Sequence, residues 1–497
     1  MKSCSLITKR ILCLALAALM LFSLASCGKD KGGNGAYATA AEAADALVQG
    51  SGISAALTSR DKDYASIIFA SDIPDNFAFL SSDDGTADMA GVFVCEDDQS
   101  ARNLDFAINT YIGDMKEDSA KYKPEEAEKL EGAVIECSDN VVVLCVSGDG
   151  AKAKTAVADV ISGIDKDGKA DAGENTPDIS EEDTTVTPPS VTATGELKDL
   201  GGIVRIGDTC YECWYYNPEI AQRYASAVKK VSAAMPSNVK VYNMLIPLSS
   251  SITLPDNYAD RVQNGDQSGS IKKINDIIGT EATHINIYDT LMAHRNEYIY
   301  FRTDHHWTGL GAYYAYNQFL KAKGKTAAPI SSYQSVEFDG FLGEFYTKSK
   351  SSELKNNPDK VIAYYPVNNN SITMTVTESS GKVFEWPIVN NVNSYDASLK
   401  YSTFAGADNP YTEIKNSAVT DGSTCIVIKE SFGNALVPFI ADNYSTVYVI
   451  DYRYYSGNIR ELVPSNGNVD ILFANNLSMM QNSYLAGKLE LLANSCK

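Results

Sequence analysis

Residues 300–320 read YFRTDHHWTGLGAYYAYNQFL, and the interpretation of the whole chain starts from this stretch. The apolar residues 298–301 predict a short strand that leads into it. A helix is predicted to begin near Thr308 and to stop at Gly324, a residue type that commonly follows the end of a helix. The sequence DHHW therefore lies on a turn between a predicted strand and a predicted helix.

Asp304 and His306 are two residues apart on this turn, so the carboxylate can accept the Nδ1 proton of the imidazole. Nε2 of His306 is then free as a general base, which requires a nucleophile. The apolar residues 425–428 predict a buried strand, and Ser431 follows it where a helix is predicted to begin. Backbone N–H groups at such a position have no partner within the helix and can stabilise an oxyanion. Asp304, His306 and Ser431 therefore form a candidate catalytic triad.

Other roles for these residues remain open. Asp304 is a common type of helix cap, with one histidine packed in the core, and a serine at a helix start is an equally common cap. Asp304 and His306 could also bind a metal together with His284 or His294, although the sequence has no helical zinc motif. We favour the triad, predict no metal, and interpret His305 as structural.

Three segments carry a family resemblance: FRTDHHWTGLGAYYAY from residue 301, IVIKESFGNALVPFI from residue 426 and VYVIDYRYY from residue 447. They resemble the DHHW-motif proteins, relatives of the alginate O-acetyltransferase group in the SGNH-hydrolase superfamily. The resemblance extends from about residue 197 to the C-terminus. It implies an α/β fold with a mostly parallel sheet flanked by helices, and catalytic roles for Asp304, His306 and Ser431. Glu430 departs from the Asp or Thr that usually precedes the serine, a change that concerns the geometry of the turn.

The resemblance implies an O-acyltransferase or esterase that acts on acetyl groups of a cell-envelope or exported polysaccharide. It implies no nucleotide or metal cofactor, and a membrane-embedded acyltransferase as the partner that delivers the acyl group. Asn434 or the backbone of Phe432 is the candidate oxyanion donor. Arg302 and Arg453 either contact substrate or pair with acidic residues, and pairing suits so acidic a chain. A non-catalytic glycan-binding or scaffold protein is the alternative function, and Glu430 favours it.

The first residues of the chain predict export. A basic start precedes an apolar segment too short to span a membrane, and residues 24–27 read LASC, which resembles a bacterial lipobox. The resemblance implies a signal peptide of residues 1–26, a lipid on Cys27 and attachment to the extracytoplasmic face of the cell membrane. An ordinary secretory signal or an uncleaved anchor is the alternative. The formal net charge of −21 argues against nucleic acid and against docking on anionic lipid.

The length of 497 residues suits two or three domains. Residues 36–164 predict a small α+β domain with a strand at residues 64–70. Three segments of this domain, TADMAGVF, YKPEEAEKLEGA and NVVVLCVS, resemble a lipoprotein domain of unknown function. We interpret the domain as a binding or spacing module. Residues 165–195, rich in acidic residues, Thr and Pro, predict a linker, because they have too few apolar side chains for a core. Residues 196–497 alternate strands and helices, as in an α/β domain whose site lies at the carboxyl ends of strands. Within them, residues 364–386 predict an inserted β-hairpin.

The cysteines leave one question open. Seven of them follow Cys27, and an odd number excludes a complete set of intramolecular disulfides. Cys210 and Cys213 form a lone C-x-x-C pair, which is more typical of a hairpin disulfide or two unlinked thiols than of a redox or zinc site.

Overall fold

The computed structural model describes residues 37–83, 86–164, 188–262 and 264–496. The predicted signal peptide, Cys27 and residues 165–187 of the predicted linker lie outside the described residues. Within the described ranges, no helix has both the length and the apolar composition that crossing a membrane requires.

Residues 37–164 form an N-terminal unit of strands and helices. Its strands are β1 Leu57–Arg60, β2 Asn76–Ser82, β3 Met89–Val94, β4 Val134–Ser138 and β5 Val141–Val146. Its helices are α1 Ala40–Gly50, α2 Lys62–Phe69, α3 Asp98–Tyr122, α4 Pro124–Glu131 and α5 Gly150–Gly163. The five strands form an antiparallel sheet in the order β1-β2-β3-β5-β4. Alternate side chains of β3 cover both faces, because Val92 packs in the core beneath α1 and α5 while Phe93 packs with α2 and α3.

The strand predicted at residues 64–70 is wrong, because this segment is the helix α2. The side chain of Asp61 accepts a hydrogen bond from the backbone N–H of Tyr64 and so caps the helix. Ala65, Ile68 and Phe69 are the buried residues of α2, and only helical spacing places all three on one side. The short run of alternating apolar residues was compatible with a strand, but the cap and the burial of this face against the sheet favour a helix.

The C-terminal unit begins at residue 197. Its strands are β6 Leu197–Asp199, β7 Ile203–Ile206, β8 Thr209–Glu212, β9 Val239–Ile246, β10 Thr283–His284, β11 Ser335–Phe341, β12 Asp359–Tyr364, β13 Ile372–Thr377, β14 Val383–Glu385, β15 Tyr411–Asn416, β16 Thr424–Lys429, β17 Thr446–Asp451 and β18 Val469–Asn476. Its helices are α6 Pro218–Ala234, α7 Ser249–Ile252, α8 Gln267–Ile278, α9 Tyr288–Ala293, α10 Gly309–Ala322, α11 Glu344–Ser349, α12 Ser352–Asn356, α13 Val437–Ala441 and α14 Ser483–Ser495.

The main sheet of this unit has eight strands in the order β10-β9-β18-β16-β17-β15-β13-β14. The five strands from β10 to β17 are parallel to their neighbours, and β15, β13 and β14 are antiparallel. The central strand β16 is buried along its whole length, which agrees with its continuous apolar sequence. The predicted α/β class is therefore confirmed. The hairpin predicted at residues 364–386 is formed by β13 and β14, and it extends the main sheet because β13 pairs with β15.

The strand predicted at residues 298–301 is absent from every sheet of the described residues; a single bridge pairs Tyr300 with Trp307. The DHHW loop therefore reaches the site beside the sheet. The sequence analysis expected the loop to follow a strand of the sheet, and this expectation is wrong. The helix α10 begins where predicted, with the Thr308 side chain accepting a hydrogen bond from the N–H of Gly311. Gly324 follows its end with a φ of +69°, a conformation that favours glycine.

The two units pack against each other. Helix α14 lies on α2 and α3 of the N-terminal unit, and the rings of Tyr111 and Tyr484 have their centroids 5.6 Å apart. The backbone N–H and the Oγ of Ser483 both donate to Asp114, at 2.7 and 2.6 Å. The last residues of the predicted linker are also held, since the N–H of Val191 donates to Asp256 at 3.0 Å. Both thiols of the C-x-x-C pair are free, so the structure has no disulfide between them.

Candidate active site

Asp304, His306 and Ser431 form a continuous chain of hydrogen bonds. Nδ1 of His306 lies 2.6 Å from Oδ1 of Asp304, and Nε2 of His306 lies 2.8 Å from Oγ of Ser431. All three residues are buried, with 3% to 5% of each exposed. The structure thus brings together the three residues proposed from the sequence, although His306 and Ser431 are 125 positions apart along the chain.

The serine is positioned by the end of the central strand. Ser431 begins a 3-10 helix, Ser431–Ala435, directly after β16. Glu430 fixes this turn, because Oε2 accepts from the N–H of Phe432 at 3.0 Å and Oε1 accepts from the N–H of Asn476 at 2.9 Å. The glutamate that departs from the family pattern therefore ties the serine turn to the end of β18. Burial raises the pKa of this carboxyl.

Hydrogen bonds hold the loop that carries His306 to the serine turn and to the first residue of α11. The indole N–H of Trp307 donates to the backbone carbonyl of Phe432 at 2.8 Å. The second oxygen of Asp304, Oδ2, accepts from the N–H of Glu344 at 2.8 Å, and Oδ1 accepts from the N–H of His306 at 2.9 Å. Each carboxylate oxygen of Asp304 is thus held, so the imidazole that it orients has one preferred position.

Aromatic rings enclose His306. The ring of Tyr401 stacks on it, with centroids 4.0 Å apart and 15° between the planes, and the ring of Phe432 lies 4.9 Å away. The hydroxyl of Tyr401 donates to the backbone carbonyl of Ser431 at 3.1 Å. Sequence analysis did not select Tyr401, because it lies in a short 3-10 helix, Ala397–Thr403, with no recognisable motif.

The pKa values of both Asp304 and His306 are lowered in this site. Burial and the charge of His305 lower the pKa of His306, so that it is neutral and able to accept a proton at neutral pH. Burial by itself would raise the pKa of Asp304, but the two histidines and the hydrogen bonds lower it to about 2. An ionised aspartate next to a neutral imidazole is the protonation state that a general base needs.

His305 has a partner that the sequence did not reveal. Its Nδ1 lies 3.0 Å from Oε2 of Glu344, and its ring lies 3.9 Å from the ring of His306. Burial opposes the charged form, but Glu344 and Asp304 outweigh it and raise the pKa of His305 to about 9. His305 therefore carries a positive charge beside the general base, which goes beyond the structural role assigned from the sequence.

Both candidate oxyanion donors are engaged. The N–H of Phe432 donates to Glu430, and Nδ2 of Asn434 donates to Oδ1 of Asp408 at 2.9 Å. Within the described residues, the Oδ1 atom of Asn434 is buried and has no hydrogen-bond partner. The amide of Asn434 therefore lies at the serine turn, but its Nδ2 already donates to a carboxylate and not to a bound acyl group.

The two arginines pair with acidic residues. Arg302 contacts Asp208 at 3.0 Å and Asp359 at 3.1 Å. Arg453 contacts Asp451 at 2.6 Å and Asp408 at 3.1 Å. Arg453 is therefore linked to the Ser431 turn through Asp408, which accepts a hydrogen bond from the amide of Asn434.

A metal set is the alternative arrangement for the DHHW loop. Asp304, His305 and His306 offer ligand atoms within 4.8 Å of one another. In the structure, however, both ring nitrogens of His306 are used, one by Asp304 and one by Ser431. The two histidines considered as further ligands are bonded elsewhere, His284 to the carbonyl of Gly279 and His294 to Glu297. The donor set fits a proton-transfer chain better than a metal site.

The site thus lies on a mixed α/β sheet, with a serine at the carboxyl end of a buried parallel strand and an Asp-x-His loop beside it. The chain belongs to the DHHW protein family, whose model matches residues 156–450.

The chain is similar to several solved structures. A DHHW family protein from Eubacterium siraeum is 29% identical, with a TM-score of 0.52 over 60% of this chain and 98% of that one. PatB1 of Bacillus cereus is 20% identical, with a TM-score of 0.46 over 56% of this chain and 96% of that one. The O-acetyltransferase domain of Pseudomonas putida AlgJ is 10% identical, with a TM-score of 0.30 over 56% and 90% of the two chains. A search of curated proteins gives no match.

Proposed function

We propose that the C-terminal unit is a serine-dependent O-acyltransferase or esterase that acts on acetyl groups of a cell-envelope or exported polysaccharide. The observation that carries this proposal is the hydrogen-bond chain from Asp304 through His306 to Ser431, with distances of 2.6 and 2.8 Å. These are the contacts expected between an orienting acid, a general base and a nucleophile. The acetyl group and the glycan come from the family resemblance.

The proposed reaction has two halves. Oγ of Ser431 attacks the acyl carbon while its proton passes to Nε2 of His306, and Asp304 stabilises the imidazolium that forms. The ester bond breaks, the leaving alcohol takes the proton from His306, and the acyl group remains on Ser431. A glycan hydroxyl or water then attacks the acyl carbon and gives its proton to Nε2. The bond between the acyl carbon and Oγ breaks, Oγ takes the proton from Nε2, and free Ser431 and neutral His306 are restored. Because Ser431 is 3% exposed, the site favours a small acyl group.

A second candidate function is a non-catalytic glycan-binding or scaffold protein. It is favoured by the hydrogen bond from the N–H of Phe432 to Glu430, because that donor is then not directed at a substrate. It also agrees with the engagement of Asn434 by Asp408.

The proposed location is the extracytoplasmic face of the cell membrane, with the chain anchored through Cys27. This part of the proposal rests on the lipobox-like residues 24–27, which precede the described residues. A membrane-embedded acyltransferase is the proposed donor of acyl groups.

The test is acetyl release from 4-nitrophenyl acetate by the chain from residue 28 onwards, beside Ser431→Ala and His306→Ala. We expect both variants to lose activity by at least about a hundredfold, as for other triads. His294→Ala is the matched control, because this histidine lies on the surface and pairs with Glu297. Activity that persists unchanged in both triad variants would favour the binding protein.

A further inference from the structure

A cleft of about 680 Å³ lies between the two units. Tyr64 and Tyr111 of the N-terminal unit line one side, and Tyr411 and Tyr455 of the C-terminal unit line another. Lys488, on α14, also lines it. Both the volume and the place between two packed units are typical of ligand sites in proteins, which measure roughly 300–1,000 Å³.

The walls of this cleft, which we call the inter-unit cleft, are rich in tyrosine. Tyr64, Tyr411, Tyr454 and Tyr455 are all partly exposed, so their rings remain accessible. Tyr411 and Tyr455 stack with their centroids 6.2 Å apart and 21° between their planes, which gives a flat surface. A tyrosine ring offers an apolar face and a hydroxyl, a combination that suits ligands with both apolar faces and hydroxyl groups, such as sugars.

Most charged groups in the cleft already have partners. Arg60 pairs with Asp83 at 2.5 Å, and Asp88 pairs with Lys129 at 2.6 Å. Arg453, on the wall, pairs with Asp451. These pairs make the cleft polar but leave little net charge to select a ligand.

Lys488 differs from these groups. Among the described residues, its Nζ has no hydrogen-bond or ion-pair partner; the ring centroid of Tyr484 lies 5.5 Å from it. The charges of Arg60, Asp83 and Asp118 act on it. Burial and repulsion from Arg60 outweigh the attraction of Asp83 and Asp118 and lower the pKa of this amine to about 8. An amine whose burial is not offset by the nearby carboxylates is stabilised when a further anionic group binds to it.

We propose that the inter-unit cleft binds an anionic oligosaccharide, with a carboxylate at Lys488 and sugar rings against Tyr411 and Tyr455. The choice of a saccharide rests on the proposed function, whereas the requirement for an anion rests on Lys488. Arg453 lines the cleft, and its partner Asp408 accepts the hydrogen bond from Asn434 in the Ser431 turn. Asp304, His306 and Ser431 are not among the residues that line the cleft, so the proposed glycan site is separate from the candidate triad.

The test is calorimetric titration of the chain from residue 28 onwards, carrying Ser431→Ala so that no turnover occurs. The probes are a tetramer of galacturonic acid and the neutral tetramer of galactose. We expect the acidic tetramer to bind more tightly, and Lys488→Ala to weaken that binding about tenfold or more, by loss of a charge-assisted contact. Lys488→Arg, which keeps the charge, should retain most of the binding. Lys240→Ala, an exposed lysine on β9, is the matched control.

Two results would overturn the proposal: no binding of the acidic tetramer, or equal binding to the parent and to Lys488→Ala. If Lys488→Ala fails to fold, Lys488→Gln with the same two probes replaces it. Failure of the proposed function is recognised separately, by the absence of acetyl release from chains with an intact Ser431. Binding that depends on Lys488 in a chain without acetyl release would leave the cleft as the site of a glycan-binding protein.

Discussion

The carboxylate of Glu344 lies 3.0 Å from Nδ1 of His305, and this ion pair holds a positive charge against the ring of His306, the candidate general base. Glu344 also donates its backbone N–H to Asp304, so one residue contacts two members of the DHHW sequence. The pair suggests how the chain keeps His306 neutral: the charge of His305 disfavours a second cation beside it.

Replacement of this acid should shift the pH dependence of the reaction. In Glu344→Gln, His305 loses its partner and is deprotonated at lower pH, which weakens its repulsion of a charged His306. The pKa of His306 then rises, and because the base must be neutral, the acidic limb of kcat/KM moves to higher pH. The control is Lys348→Ala, which removes the other partner of Glu344 at 2.9 Å and should leave the limb in place. A limb that stays fixed or moves to lower pH in Glu344→Gln contradicts this explanation.

The position of Asp304 leaves no space for a side chain at residue 343, which is Gly343. A Cβ atom at residue 343 would lie 2.2 Å from Cβ and Oδ2 of Asp304, a distance that forces the aspartate to move. Because its φ is −78°, the clash and not the backbone conformation excludes a side chain. We expect Gly343→Ala to reduce kcat about a hundredfold by misplacing the imidazole. The control is Gly113→Ala in α3, where no atom lies within 4 Å, and acetyl release should be unchanged. Full activity of Gly343→Ala would show that Asp304 tolerates displacement.

Asp408 should be important for stability. It neutralises two buried cations, Lys429 at 3.2 Å and Arg453 at 3.1 Å; Asp451 contacts both of them, and Asp118 lies 4.0 Å from Arg453. We expect Asp408→Asn to lower the free energy of unfolding by about 3 kcal/mol, the range found when one partner of a buried ion pair is removed. Urea denaturation followed by tryptophan fluorescence measures this change.

The control for that variant is Asp339→Asn, which removes an exposed carboxylate 3.5 Å from Lys360. Its free energy of unfolding should change by less than about 0.5 kcal/mol. Equal changes in the two variants would mean that Lys429 and Arg453 are adequately neutralised by Asp451.

The contacts among Asp304, His306 and Ser431 were accessible from the sequence because they are either local or follow strand ends. Asp304 and His306 meet across two residues, and Ser431 follows a strand whose apolar run is unmistakable. The limits of α10 were equally accessible, since Thr308 caps its start and a glycine follows its end.

The surroundings of the site were beyond sequence reasoning. Glu344 lies 39 residues from His305, and Asp408 and Tyr401 come from segments without periodicity or motif. Their roles depend on how the chain folds back on itself, which no local pattern records. The segment 64–70 failed for the opposite reason, because a short apolar alternation fits a strand and a helix equally well until the cap at Asp61 is considered.

Helix α14 covers the face of the N-terminal unit that contains Phe69 and Tyr111. Because α14 follows the N-terminal unit by more than 300 residues, this apolar face stays uncovered during synthesis until α14 has emerged. A variant in which α14 cannot dock would lose the hydrogen bonds from Ser483 to Asp114 and leave the face open to proteases. Protection of the N-terminal unit from degradation therefore depends on the folding of the C-terminal unit.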